Sequence, residues 1–298
     1  MRPQLFSNPC SLLAACALTV AAFVAPSKPL FAEGTTAEAA HRIVAVGGAV
    51  TEIVFALGEE ERLVARDTTS NFPEAAAQLP DIGYIRALSP EGVMSVDPDL
   101  ILMLEGSGPQ EAVDVLKKSG VAIADIPEGF TEEDILKKVE AVGEALGVPE
   151  KADELVQELG DDLEDARAHA QSNSTEFRVL FVLTTRGGRI LASGTDTAAH
   201  GIIELAGAEN AVADFSGYKQ LSDEAILSAA PDVVLMMQRG PNHEVAAEEV
   251  FTHPALAQTP AGQNKRVIVM GGQYLLGFGP RTADAIRDLS QQLSDIRS

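Results

Sequence analysis

The chain is poor in the residues that carry metal, thiol and aromatic chemistry. Its 298 residues include no tryptophan, three tyrosines, five histidines and two cysteines. No two histidines are spaced i, i+4 as zinc ligands on a helix are, and the sequence has no Gly-x-Ser-x-Gly elbow and no nucleotide-binding loop. These absences argue against a zinc enzyme, a hydrolase built on that elbow and a nucleotide-dependent enzyme. We therefore expect no enzymatic activity.

Positive charge is also scarce. Lysine and arginine total 22 against 44 aspartates and glutamates, a formal net charge of −22. Such a chain is a poor partner for DNA or RNA, whose phosphates need neutralising. An anionic ligand would need its own local arginine or lysine. The 46% hydrophobic content indicates a folded chain, and its length suits one large domain or two ordinary ones.

The N-terminal segment differs from the rest. Residues 1–32 contain Arg2, Lys28 and no acidic residue, and their apolar run of about 15 residues falls short of the roughly 20 that span a bilayer. This pattern predicts a signal peptide ending near Ala32, and hence a soluble protein exported to a bacterial periplasm. Cys10 and Cys16 both lie in this segment, so the trimmed chain would lack cysteine.

Two other interpretations of this segment stay open. It could be an N-terminal membrane anchor. It also contains Leu13-Ala14-Ala15-Cys16, a run similar to the cleavage box of a lipoprotein in which Cys16 is lipidated.

Two later segments match each other at a constant offset of 133. Residues 88–103 and 221–236 are identical at eight of sixteen positions. Each predicts a short helix, a Pro-Asp turn and a buried strand. Further upstream, a strand at 42–46 or 178–183 precedes a helix that ends in glycine. Because the order of elements repeats along with the residues, we predict two lobes of similar plan.

The predicted fold is α/β, with two lobes of mainly parallel sheets and flanking helices, joined by one long helix. The N-terminal lobe is expected over 33–131, the linking helices over 132–172 and the C-terminal lobe over 173–298. The first linking helix should end at 146, and Pro149 should begin the second. A long helix leaves little slack, so we predict only a small hinge motion.

A cleft between the lobes is the expected binding site, because ligands of open α/β sheets bind beyond the carboxyl ends of the strands. The repeat places Tyr84 and Tyr218 there as pseudo-symmetric partners, each preceded by glycine. The full set expected at the cleft is Tyr84, Arg86, Arg186, Tyr218, Arg239 and His243.

Four segments carry a resemblance to a known family. They are 48–58 (GAVTEIVFALG), 65–70 (ARDTTS), 79–88 (LPDIGYIRAL) and 275–279 (LLGFG). With them the chain resembles, over 42–295, the periplasmic hemin-binding proteins of bacterial ABC haem importers. The general part is shared with vitamin B12 and siderophore binders, whereas the haem-specific part is mainly Gly-Tyr-x-Arg. The resemblance implies a class III periplasmic binding protein fold, ferric haem b as transported ligand and an inner-membrane ABC permease as partner. We expect a monomer.

The resemblance implies that Tyr84 is the axial iron ligand and that Arg86 lies beside it. Ferric iron is hard and suits a phenolate oxygen. A free tyrosine titrates near pH 10, so phenolate ligation needs the metal and a nearby cation, which an arginine supplies. The alternative for Tyr84 is an ordinary half-buried tyrosine.

The two haem propionates need positive charge in so acidic a protein. Arg239, Arg186 and Arg189 are the cations expected near the cleft, and the resemblance favours Arg239. The alternative for each is a loop arginine facing solvent.

A second iron ligand is not expected. Some family members have a histidine just after the second-lobe strand, where this chain has Thr-Thr-Arg at 184–186. This departure favours a single axial Tyr84, with His243 and His200 as weaker candidates.

The repeat also pairs Glu91 with Glu224. In this class of binding protein a glutamate on each lobe docks onto arginines of the permease, and the resemblance carries that role to both residues. Helix N-termini also favour acidic residues through the helix dipole, and the two roles can coexist.

Three rival functions stay open. The same fold could carry a ferric siderophore or cobalamin. An exported hydrolase would show turnover and no coloured complex. A haem chaperone or scavenger without a permease would be indifferent to Glu91 and Glu224.

Overall fold

The computed structural model describes residues 40–174, 176–238 and 247–297, with the backbone alone for Arg186 and for 247–249. The predicted signal peptide, Arg239 and His243 lie outside the described residues. No helix in the described ranges is both long and apolar enough to cross a membrane.

The first sheet has four strands, all parallel. They are β1 (Ile43–Val46), β2 (Leu63–Arg66), β3 (Leu100–Leu104) and β4 (Ala122–Ile126), in the order β2-β1-β3-β4. The helices of this half are α1 (Gly48–Ala56), α2 (Glu74–Ala77), α3 (Pro90–Met94) and α4 (Gln110–Lys117). Every residue of β1 and β3 is buried, as expected for parallel strands covered on both faces.

Two helices lie between the sheets in the chain, α5 (Glu132–Leu146) and α6 (Pro149–Ser172). Thr131 and Asp134 form a reciprocal capping box at the start of α5, and Gly147 takes a left-handed conformation after its end. Pro149 lies in the first turn of α6, as predicted. The 24 residues of α6 span about 36 Å.

The second sheet is mixed. Its strands are β5 (Arg178–Thr184), β6 (Leu191–Ser193), β7 (Glu209–Asn210), β8 (Tyr218–Gln220), β9 (Val233–Gln238) and β10 (Val267–Gly271). The strands β7, β5, β9 and β10 pair in parallel, in the arrangement of the first sheet. The prediction of mainly parallel sheets is confirmed, with one difference: β6 and β8 add an antiparallel edge that has no counterpart in the first sheet.

The remaining helices cover the second sheet. They are α7 (Ala198–Leu205), α8 (Asp223–Ala229), α9 (Pro254–Ala257), α10 (Pro260–Gln263), α11 (Gly272–Leu276) and α12 (Thr282–Arg297). Helix α12 packs along α6. Buried hydrophobic side chains therefore form a core on both faces of each sheet.

The sequence repeat occupies equivalent places in the two halves. Asp99 accepts a hydrogen bond from Arg42 N at 2.9 Å, and Asp232 accepts one from Arg178 N at 3.0 Å. In return, Asp99 N and Asp232 N donate to the carbonyl oxygens of the same two arginines. The Pro-Asp aspartate thus ties β3 to the start of β1 and β9 to the start of β5. The prediction of two halves of similar plan is confirmed.

Candidate functional site

The carboxyl ends of the two sheets meet through Gln273, which follows β10. Its Nε2 donates to Gly48 O at 3.2 Å, and its Oε1 accepts from Asn71 N at 2.9 Å. A Cβ on Gly48 would lie 2.9 Å from Gln273 Nε2, so only glycine fits without displacing that side chain. Gly279 lies close to Ala49, because a Cβ added to Gly279 would be only 3.2 Å from Ala49 Cα. Two of the segments that carry the family resemblance, 48–58 and 275–279, therefore touch each other.

The loop that presents Tyr84 is anchored by Asp81. One carboxylate oxygen of Asp81 pairs with Arg66 at 2.7 Å, and the other accepts from Gly83 N at 2.8 Å and Thr68 Oγ1 at 3.1 Å. Gly83 has φ +103°, a backbone conformation that residues other than glycine rarely adopt. Both features fix the backbone immediately before Tyr84.

Tyr84 and Arg86 both point toward solvent. Tyr84 is 48% exposed, which is unusual for a large aromatic side chain and leaves its ring available for contact. Arg86 is exposed and reaches only Gly106 O, at a long 3.5 Å, with no carboxylate within ion-pair distance among the described residues. Its charge is therefore not neutralised by a described neighbour.

Tyr218 faces these two residues from the second sheet. It lies on β8 opposite Ser193 of β6 and is 42% exposed. Partial burial raises the pKa of Tyr218, a hydrogen bond with Ser193 and the Arg86 charge act to lower it, and Tyr84 acts to raise it further. The structure thus places Tyr218 within electrostatic range of Tyr84 and Arg86, across the two halves.

A buried ion pair also joins the halves. Glu52 of α1 is 6% exposed and binds Arg281 through both carboxylate oxygens, at 2.7 and 2.8 Å. Gln273 Nε2 also donates to Glu52, at 2.6 Å. Burial raises the pKa of Glu52, and the bonds to Arg281 and Gln273 only partly offset it. The Arg281 guanidinium lies over the ring of Phe72, with Cζ 3.6 Å from the ring centroid.

Two other predicted residues, Arg189 and His200, lie in the second half. Arg189 is exposed after a short helical turn that Arg186 begins. His200 lies on α7, where its Nδ1 is 3.4 Å from Asn210 Nδ2, a contact within the second half. In the described ranges, no group of three or more His, Cys, Asp or Glu side chains is arranged to hold a metal ion.

Glu91 and Glu224 occupy the same position of equivalent helices. Ser89 caps α3 and Ser222 caps α8, each accepting from a backbone N–H three residues later. Glu91 and Glu224 are the second residues of these helices, and both are exposed. Hydrogen bonds from its own backbone N–H and from Ser222 lower the pKa of Glu224.

A family model described as periplasmic binding protein matches residues 43–274, more than half of the chain. This chain belongs to the periplasmic binding protein family. The solved structure of the periplasmic heme-binding protein BhuT in complex with two hemes is 38% identical, with TM-score 0.81, covering 86% of this chain and 99% of that one. The heme-binding protein RhuT from Roseiflexus sp. RS-1 is 34% identical, with TM-score 0.82, covering 87% and 99%.

More distant relatives bear other names. The vitamin B12-binding protein of Vibrio parahaemolyticus is 23% identical over 90% of this chain and 96% of its own length. The predicted resemblance to periplasmic haem-binding proteins is confirmed by the solved structures, and the fold is shared more widely.

Sequence reasoning missed the ion pair of this periplasmic binding protein. Glu52 is the one charged residue in the run Ala-Val-Thr-Glu-Ile-Val-Phe-Ala of α1, and a charge in so hydrophobic a run is a signal that a partner must exist. Its partner Arg281 is 229 residues further along the chain, so the sequence offered no means of pairing them.

Proposed function

We propose that this protein binds ferric haem b between its two halves and delivers it to an inner-membrane ABC permease. The observation that carries the proposal is an exposed tyrosine, Tyr84, with an arginine two residues on, Arg86, that has no ion pair among the described residues, and Tyr218 within electrostatic range of both. The similarity to the heme-binding proteins BhuT and RhuT supports the proposal, since the match covers 99% of each of those chains.

In this proposal Tyr84 is the axial ligand of the iron. A phenolate oxygen is a hard anionic donor that matches Fe³⁺, and Arg86 supplies a positive charge beside it. The neutral hydroxyl is favoured at Tyr218, whose pKa is raised by partial burial, so Tyr218 is suited to hydrogen bonding and ring contact. We expect a single axial ligand, because the chain has Thr-Thr-Arg at 184–186, where some family members have a histidine.

The propionates need cations in this acidic protein. We propose Arg186, Arg189 and Arg239 as their partners, with Arg239 foremost. Neutralising two carboxylates locally would offset the repulsion from a chain of net charge −22.

The proposal includes export and docking. A signal peptide over 1–32 would bring a monomer to the periplasm. Lobes over 33–131 and 173–298, linked by 132–172, would each present one glutamate to the permease. Glu91 and Glu224 are suited to this role because both are exposed, and neither has an ion pair within the described ranges. A binding protein of this kind has no catalytic residues.

Hemin titration of the purified protein tests the ligand. We expect saturable binding with the absorption spectrum of high-spin ferric tyrosinate, and in Tyr84→Phe a loss of that spectrum with an affinity at least about ten-fold lower. Tyr274→Phe is the matched control, because it keeps the ring and removes only a hydroxyl that donates to Asp288 of α12 at 2.8 Å. It should bind hemin as the wild type does.

The alternatives give different results. No saturable hemin binding would refute the proposal, and cobalamin and ferric siderophores would then be titrated instead. Binding with an unchanged spectrum in Tyr84→Phe would keep haem as the ligand and move ligation to another residue.

A transport assay with the cognate permease in proteoliposomes tests docking. The double variant Glu91→Gln/Glu224→Gln should bind hemin normally and deliver it poorly. Glu154→Gln/Glu158→Gln on the exposed side of α6 removes the same charge and should deliver hemin normally. Equal delivery by the two double variants would exclude this docking role and favour a scavenger without a permease.

A further inference from the structure

Phe72 is an exposed aromatic side chain at the same end of the first sheet as Tyr84. It is 41% exposed and lies at the end of the loop that follows β2. That loop contacts the Tyr84 loop through a hydrogen bond from Thr68 N to Gly83 O at 2.9 Å. The residue before Phe72, Asn71, donates to Gln273 of the second half. Phe72 therefore lies between the Tyr84 loop and the contact that joins the halves.

One side of the Phe72 ring is already occupied. The Arg281 guanidinium covers it with Cζ 3.6 Å from the ring centroid, close enough for planar stacking as well as a cation–π interaction. Arg281 itself is fixed by two hydrogen bonds to buried Glu52. The ring orientation is therefore set by a side chain from the other half, and the exposed area of Phe72 lies away from Arg281.

We infer that Phe72 is an apolar wall of the binding cleft that stacks on a flat, conjugated ligand, and that Arg281 is a positioning residue for it. The inference rests on the proposed function and extends it to residues that no iron ligation requires. A large aromatic ring held in one orientation loses little conformational entropy on contact, which favours affinity. The ion pair between Glu52 and Arg281 also joins the halves. It therefore fixes both the position of the Phe72 ring and the width of the cleft.

The test measures hemin affinity in the full protein. Phe72→Leu should bind hemin about three- to ten-fold more weakly, the size of one aromatic stacking contact. Its tyrosinate spectrum and its Tm should stay near those of the wild type. Phe72→Trp should restore the affinity. Phe177→Leu is the matched control, because Phe177 also lies under an arginine, Arg266 at 5.2 Å, but at the amino-terminal edge of the second sheet.

A double-mutant cycle tests the role of Arg281. Arg281→Lys keeps the charge beside Glu52 and removes the planar group, so it should weaken hemin binding in the wild-type background. It should have little further effect in the Phe72→Leu background, because the two residues act through one contact. A residue with a merely structural role would give additive losses.

The outcomes separate the two proposals. A wild type that does not bind hemin refutes the proposed function. If the wild type binds hemin and Phe72→Leu binds it with the same affinity, the proposed stacking role of Phe72 is refuted. Additive losses in the cycle overturn the positioning role of Arg281.

Discussion

The two halves of the molecule share a parallel core and differ at the edge where the ligand would bind. Strands β2, β1, β3 and β4 correspond to β7, β5, β9 and β10, and each half has a capped helix with one exposed glutamate. Tyr84, however, lies on a loop, whereas Tyr218 lies on an antiparallel strand that only the second sheet has. The repeat thus preserves the framework and the paired glutamates, and the cleft is built from parts that are not equivalent.

The comparison also shows how the halves are held together. Within each half, buried hydrophobic residues cover both sheet faces. Between the halves, polar contacts contribute: Glu52 with Arg281 and Gln273, and the fully buried Lys138, which donates to Glu128 at 2.7 Å and to Phe278 O at 3.2 Å. Such bonds depend on geometry and therefore favour one separation of the halves.

Removing the inter-half ion pair should have the largest effect. Arg281→Ala leaves the buried Glu52 carboxylate without its charged partner, and we expect a loss of about 3 kcal/mol in the free energy of unfolding, measured by urea denaturation. Arg287→Ala on α12, the helix that begins just after Arg281, is the control, because its partners Asp162 and Asp284 are exposed, and it should cost less than about 1 kcal/mol. Equal losses would mean that the ion pair does not stabilise the joined halves.

Substitution of the two repeated aspartates, Asp99 and Asp232, should lower the stability of the protein by different amounts. Asp99 accepts hydrogen bonds from two backbone N–H groups, those of His41 and Arg42, whereas Asp232 accepts one, from Arg178. We expect Asp99→Ala to cost about 2 kcal/mol and Asp232→Ala about 1 kcal/mol in urea denaturation. The reverse order would contradict the assignment of these bonds as the main role of the repeated residue.

Substitution of the two cleft tyrosines, Tyr84 and Tyr218, should affect hemin binding unequally. Tyr218→Phe keeps the ring and loses only a hydroxyl, so hemin affinity should fall by no more than about three-fold, with the tyrosinate spectrum intact. A larger loss than in Tyr84→Phe, or loss of the spectrum, would assign the iron to the second half. Absorption titration of both variants makes the comparison.

Two glutamates near α1 should respond to acid in opposite senses. The pKa of Glu52 is raised by burial, so its contribution to stability is greatest below the unfolded value and is lost as pH rises through the folded value. For Glu59, burial acts to raise the pKa, but hydrogen bonds from Lys151 and Arg62 lower it overall. Its contribution is present above the unfolded value and is lost as pH falls.

Unfolding curves of Glu52→Gln and Glu59→Gln between pH 7 and pH 4 measure these contributions. As pH falls, the wild type should gain stability relative to Glu52→Gln and lose it relative to Glu59→Gln. The same sign for both variants would contradict the difference in their surroundings. Glu59 bonds within the first half and to α6, so this pair also separates inter-half from local effects.

The sequence was sufficient for much of the framework because local signals agree there. Helix α5 was predicted with its observed bounds, since a Thr-x-x-Asp start and a terminal glycine mark both ends. Helix α1 begins at Gly48, because Thr51 N already bonds to Gly47 O. The antiparallel edge was not predicted, since β6 and β8 are three-residue strands with no distinctive pattern.

The sequence by itself determined two α/β halves, their buried strands and the equivalence of Glu91 with Glu224, because periodicity, turn residues and an internal repeat are local properties. It also singled out Tyr84 and Arg86 as neighbours. Only the tertiary structure decided that Arg281 reaches Glu52 and covers Phe72. These contacts join residues more than 130 positions apart, and their geometry depends on how the two sheets pack, which no local pattern encodes.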